Sequence, residues 1–329
     1  GDVEEDMRVR IAAILALRTM HGDCLSCLDA LRRTLMEDSY DLVNPTLGVL
    51  KQMGQRAAPA VPDILRWLDE TDPRLVDRTA QTLGAIRARP DLVLPALEAV
   101  ILRRGSDDAA RAMAAYGSPA FEYAARILSE GDEYARYSIL WTFANLGEKA
   151  APIVPELIVL IDGEDPDISS RAIGTLGFIG PKAAAAVPTL MKRLSYGETV
   201  QRAKDAAKTL MRLGPRAEEA LLSGLQSSHE TTRRQSLRVL THFHVRTAFA
   251  LDALGPLTRS KDARIRADAM DAVGAALFDP REPQKVYPAA EDPATIAKVR
   301  ALLEAAVEDP EEPVRDRATR YLDWLNARH

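Results

Sequence analysis

Apolar residues return every three or four positions along almost the whole chain. In residues 165–179, DPDISSRAIGTLGFI, the residues Ala172, Leu176 and Ile179 share one side of a helix, and Ser170, Gly174 and Phe178 form the opposite, outward line. Strings of Val, Ile and Thr alternating with polar residues are missing, so no strand is expected. The pattern describes an all-helical protein.

The punctuation between these helices is itself periodic. GQRAAPAVPDILRWL from Gly54, GEKAAPIVPELIVLI from Gly147 and GPKAAAAVPTLMKRL from Gly180 are versions of one phrase, with weaker copies from Gly214 and Gly117. The glycine intervals 117 to 147, 147 to 180 and 180 to 214 are 30, 33 and 34 residues, and 54 to 117 is 63, two periods with a degraded marker near Arg87. That is the period of a helical repeat, which grows by stacking. The glycine is expected to end one helix in the left-handed conformation. Proline then suits the first turn of the next helix, where its missing N–H has no helical partner. Further on comes an acidic signal, Asp72, Asp165 or Asp309, able to cap a second helix. Each unit reads as a helical hairpin.

The phrase G-x-x-A-x-P-x-V-P-x-L, followed by D-P-x-V-R-x-x-A-x-x-x-L-G-x-I-G, resembles the HEAT repeat in the short form of bacterial and phycobilin-lyase-like proteins. The resemblance covers nearly the whole chain, roughly nine hairpins, and is strongest from Gly54 to Gly214. It implies an all-α, right-handed α-solenoid whose second helices line a concave face. On function it is nearly silent, because these repeats serve scaffolds, transport factors, lyases and a few enzymes. Four segments are expected: N-terminal capping hairpins in 1–53, a repeat core in 54–278, a proline-rich insertion in 279–293 and a C-terminal capping hairpin in 294–329. The column Arg136, Arg233, Arg266 and Arg315 matches the V-R position and is expected to bridge Asp residues of adjacent hairpins.

Composition narrows the class. With 47% hydrophobic and 28% charged residues the chain has ample material for a core, and its longest apolar runs fall far short of a membrane span. The first residues are Gly1 and Asp2 without a Met, so a removed leader is allowed; the compartment stays open, with cytoplasm ahead of export. Two cysteines, Cys24 and Cys27, do not make a disulfide scaffold. They are expected to be packing thiols, with a redox pair or a metal site shared with His21 as alternatives.

Aligning the second helices by their L-G-x-I-G endings extends the outward line to other repeats. It is Tyr137, Trp141 and Asn145 in the fourth hairpin, Lys204, Lys208 and Arg212 in the sixth, Arg234, Arg238 and His242 in the seventh, and Ala267, Asp271 and Ala275 in the eighth. With stacked helices about 8 to 10 Å apart, an aromatic wall, a floor of Ser170 and Gly174 beside Phe178, and a basic patch are expected side by side. Residues 182–266 hold 16 Lys or Arg against 7 Asp or Glu, an excess of +9 inside a chain of net charge -5. That asymmetry bears on partners. The competing reading is a solvated helix face. Glu198 to Arg202, Asp205 to Lys208 and Glu230 to Arg234 are spaced to neutralise part of it, and each like-charge pair costs only about 0.2 to 0.5 kcal/mol.

No phosphate-cradling loop, nucleophile triad or metal quartet is visible, so no catalytic residue, metal or cofactor is expected. The favoured function is a non-enzymatic scaffold binding an acidic or phosphorylated protein segment on the concave face of hairpins four to seven. The alternatives are a nucleic-acid-binding HEAT protein, including a HEAT-like DNA glycosylase, and a chromophore lyase-like subunit.

Overall fold

A computed structural model describes residues 2–19, 25–37, 39–195, 200–242, 250–279 and 292–327. The chain divides into two compact units, Gly1–Ile179 and Gly180–His329. The first contains α1 (Asp2–Thr19), α2 (Leu28–Leu35), α3 (Tyr40–Met53), α4 (Val61–Leu65), α5 (Pro73–Ile86), α6 (Pro90–Arg104), α7 (Asp107–Ala114), α8 (Ala120–Glu130), α9 (Glu133–Ala144), α10 (Val154–Ile161) and α11 (Pro166–Ile179). The second contains α12 (Val187–Ser195), α13 (Val200–Arg212), α14 (Pro215–Leu225), α15 (Glu230–His242), α16 (Leu251–Leu254), α17 (Ala263–Gly274), α18 (Pro293–Glu304) and α19 (Glu312–Asn326). After α1, which packs on α3, the described helices pair as nine hairpins from α2 with α3 to α18 with α19. The proline-rich insertion lies mostly outside the described residues.

Local rules build each hairpin. Gly54 takes φ 56°, and the seven residues Gly54–Ala60 run as 3-10 helix because Pro59 cannot donate to an α-helical ladder; α4 starts only at Val61. Gly147–Ile153 and Gly180–Ala186 repeat this lead-in before α10 and α12. Two of the acidic signals cap their second helices, Asp72 accepting from the Arg74 N–H at 2.9 Å and Asp165 from the Asp167 N–H at 2.8 Å. Asp309 does not: it accepts from the Glu311 N–H at 3.0 Å in the turn ahead of α19, whose N-cap residue is Glu311.

The degraded marker is a true left-handed position. Arg87 closes α5 at φ 51°, ψ 40°, where α3, α7, α9, α11 and α13 are followed by a positive-φ glycine, and its side chain is exposed. A side chain there costs about 1 to 2 kcal/mol, against about 0.5 to 1 kcal/mol of extra chain entropy lost by glycine. Arg87→Gly is therefore expected to stabilise the protein by about 0.5 to 1 kcal/mol, read as a higher midpoint in thermal unfolding followed by circular dichroism. A lower midpoint would mean that the guanidinium holds the turn together.

In unit 1 the second helices pack in sequence, α3 on α5, α5 on α7, α7 on α9 and α9 on α11. Hydroxyls fix the register. Thr82 donates to the Leu47 carbonyl at 3.3 Å, and Thr175 does the same to Leu140 at 3.4 Å. Between α5 and α7 the backbones nearly touch, since a Cβ on Gly84 would stand 2.7 Å from the Ala112 Cα.

The arginine column does another job than expected. Arg136 donates to the Ser129 carbonyl, Arg233 to Ser227, Arg266 to Ser260 and Arg315 to Asp309, at 3.0, 2.6, 2.9 and 2.6 Å. Each guanidinium thus ties a second helix to the turn that precedes it, where carbonyls left without helical partners attract a cation. In the fifth hairpin Ser169 fills this role by donating to the Ile161 carbonyl at 2.8 Å. Of the four arginines, Arg266 also bridges to a neighbouring hairpin, pairing with both oxygens of Asp309 at 2.7 and 2.9 Å.

Candidate functional site

The inward set Ala172, Leu176 and Ile179 is fully buried, which turns the other side of α11 outward. Phe178 is 60% exposed, Ser170 is partly exposed, and a Cβ added at Gly174 would meet nothing within 4 Å. On the neighbouring α9, Trp141 is 55% exposed. The Thr175–Leu140 hydrogen bond sets these lines side by side, so Trp141 and Phe178 stand on adjacent helices with open backbone at Gly174. Tyr137 differs from Trp141: it is half-buried, with the Arg171 guanidinium stacked 4.1 Å from its ring centre. Asn145 ends the line by donating from its amide to the Trp141 carbonyl at 2.9 Å.

The basic candidates lie in unit 2. Lys208 and Arg212 are exposed on α13, and Arg238 is exposed on α15. Lys204 and His242 fall on these two helices, but their side chains lie outside the described residues. The outer side of Arg234 is already engaged, because its Nε lies 3.4 Å from Asp268 on α17. Arg317 of α19 reaches the same Asp268 at 3.4 Å and Asp271 at 3.2 Å. Burial raises the Asp271 carboxyl above its ordinary value, against the pull of Arg317.

Two expectations are corrected here. Ala267 and Ala275 of the eighth outward line are buried, because α19 packs over α17 and sets the Tyr321 ring against Gly274. An outward line stays outward only while no later helix covers it. Cys27 is disulfide-bonded rather than a packing thiol; Cys24, like His21, lies outside the described residues. The two-residue spacing of a C-x-x-C favours such chemistry.

A groove of about 300 Å³ escaped the alignment of outward lines. It lies over α3, α5 and α7, floored by Gly84, Ala112 and Ala115. A relay of side chains crosses it. The Lys51 ammonium donates to the Gln81 carbonyl oxygen at 2.8 Å, the Gln81 amide donates to Asp108 at 3.1 Å, and Arg111 donates to the same Asp108 oxygen at 2.7 Å. These repeats lack a clean L-G-x-I-G ending on α7, so the signal available was only the polar residues 27 and 30 positions apart.

Among the described residues, no group of three or more potential ligands is arranged to hold a metal, and no helix is long and apolar enough to cross a membrane. The chain is similar to solved karyopherin structures. Kap121p bound to Ste12p matches with a TM-score of 0.55 at 13% identity, over 96% of this chain and 39% of that one. Kap121p bound to the extreme C-terminus of the protein phosphatase Cdc14p matches with a TM-score of 0.53 at 10% identity, over 96% and 44%. This chain therefore spans less than half of those chains. The likeness concerns the fold, an all-α HEAT-like repeat solenoid. No protein-family model matches the sequence, and no curated protein does.

Proposed function

We propose that the protein is a non-enzymatic scaffold that holds an acidic or phosphorylated protein segment on the outward lines of its second helices. The observation that carries this reading is the pair Trp141 and Phe178, two large rings more than half exposed on neighbouring helices beside open Gly174. Fully covering such a ring is worth about 1.5 to 3 kcal/mol, and buried aromatics dominate protein interfaces. The cations Lys208, Arg212 and Arg238 of unit 2, within a segment carrying an excess of +9, support an anionic partner. In the matched structures Kap121p is bound to other proteins, in one case to an extreme C-terminus, which supports a protein segment as the ligand of this fold.

The test is an array of acidic and phosphorylated peptides, followed by affinities of the best binder for variants. Trp141→Ala is expected to weaken binding at least about tenfold, and the double charge reversal Lys208→Glu with Arg238→Glu several-fold, with helicity and melting nearly unchanged. Intact affinity in both variants would sink the proposal. A nucleic acid would announce itself by salt: contacts to about five of Lys204, Lys208, Arg212, Arg234 and Arg238 give a slope of log K against log salt near -3.5 for single strands and -4.5 for duplex.

A further inference from the structure

Glycine is among the poorest residues for a helix, so each one placed inside a helix calls for a reason. Gly84 has one, since a Cβ on it would stand 2.7 Å from the Ala112 Cα. Gly224 and Gly274, in the last turns of α14 and α17, are likewise pressed by Ser236 and by the Tyr321 ring. Gly174 has no such reason within the fold. It lies inside α11 without the positive φ of the glycines that follow helices, and a Cβ on it would meet nothing within 4 Å. The borders of this opening are aromatic. Phe178, 60% exposed, stands one turn further along the same side of α11. Across the gap on α9 stands Trp141, at the same level: Trp141 and Gly174 each lie six residues before the glycine that follows their helix, Gly147 and Gly180. The hydrogen bond from Thr175 to the Leu140 carbonyl at 3.4 Å holds the two helices in that register. One turn back, Arg171 covers the Tyr137 ring at 4.1 Å and bounds that end of the slot.

We infer that Gly174 is the selectivity-determining residue of this slot: it leaves room for one aromatic side chain of the bound segment, a Phe, Tyr or Trp, to reach the α11 backbone between Trp141 and Phe178. This rests on the scaffold reading and names the side chain that the segment must offer. Two of the borders are rings, and an aromatic side chain gains from edge-to-face or offset contact with each of them beyond the area it buries, which an aliphatic one does not. A guanidinium also stacks on rings, but Arg171 already sets a cation at one end, so a second cation is repelled there. Gly174, Trp141, Phe178 and Ser170 carry no charge, so the slot selects by shape and ring contact and not by the acidity of the segment. Any side chain at position 174 would fill the depth that the incoming ring uses.

The experiment uses the full chain and a library of random peptides of about twelve residues displayed on phage, depleted first on the Trp141→Ala variant so that the survivors need that ring. The survivors are expected to share one aromatic residue. Replacing it by Leu in synthetic peptides should weaken binding at least about tenfold, read by fluorescence anisotropy. Gly174→Ala is expected to raise the thermal midpoint by about 1 to 4 °C, because alanine is the better helix former, while weakening the same peptides at least about fivefold. Gly174→Leu should abolish their binding with helicity retained. Stability and affinity thus move in opposite directions, as they do for a residue kept for a ligand. A lower midpoint for Gly174→Ala would assign the glycine to the fold and overturn the inference. Survivors that share no aromatic residue, arginine-anchored ones included, or undiminished binding to Gly174→Leu would overturn the slot and leave the scaffold reading standing. No survivor after depletion would overturn both.

Discussion

Asp309→Ala is expected to cost about 3 kcal/mol and to lower the melting temperature of the unit that contains it by about 6 to 12 °C. The pair it breaks is bidentate, at 2.7 and 2.9 Å, and both side chains are about nine-tenths buried. Removing the carboxylate leaves the Arg266 guanidinium in a poorly hydrated place, held by the Ser260 carbonyl at 2.9 Å. It also removes the acceptor of the Glu311 N–H at 3.0 Å. The pH dependence has a definite sign. The hydrogen bond from Arg266 holds the Asp309 carboxyl below its ordinary value, so its stabilisation is present above the unfolded carboxyl's pKa of about 3.9 and is lost as pH falls through the depressed folded value. Arg266 is shifted up by the same partner and stays charged throughout. In thermal scans the gap between wild type and variant should therefore be full at neutral pH and close in acid. A constant gap down to acid would show that the ionised pair is not what the variant loses.

A chain ended before Gly147 is expected to lose helicity and aggregate, whereas one ended after Ile179 retains the helices of unit 1. The shorter fragment loses α10 and α11, which pack on α8 and α9. It uncovers part of the face formed by Ile139, Leu140 and Phe143, all at most 1% exposed in the whole chain. At roughly 1.5 to 3 kcal/mol for each large apolar side chain returned to water, a few such losses equal the whole stability of an ordinary domain. The measurements are molar ellipticity per residue and light scattering for the two fragments. A short fragment as helical and monodisperse as the long one would show that the hairpins of unit 1 do not depend on their neighbours.

Local signals were strong enough to read the hairpins. Gly54 and Gly147 with positive φ, proline lead-ins before α4 and α10, and the caps Asp72 and Asp165 are decisions made within one to four residues. The four-residue step that buries Ala172 and Leu176 and exposes Phe178 is equally local, and so it could be stated before any contact was known. Arg87 shows the limit of such rules, since its left-handed turn is set by the hairpin it closes and not by its own preference.

By itself, then, the sequence determined that this protein is a run of helical hairpins with particular starts, stops and inward faces, because those depend on backbone sterics and helix periodicity. Only the tertiary structure decided which outward residues stay in water. Ala275 is covered by α19, Arg234 is drawn to Asp268, Tyr137 lies under Arg171 and Gln81 joins Lys51 to Asp108. The paired side chains among these stand 27 to 34 residues apart, with a separation that changes from repeat to repeat. Because stacking tolerates such variation in turn length, the side chains that meet across neighbouring helices are selected by packing, and no fixed spacing in the sequence records them.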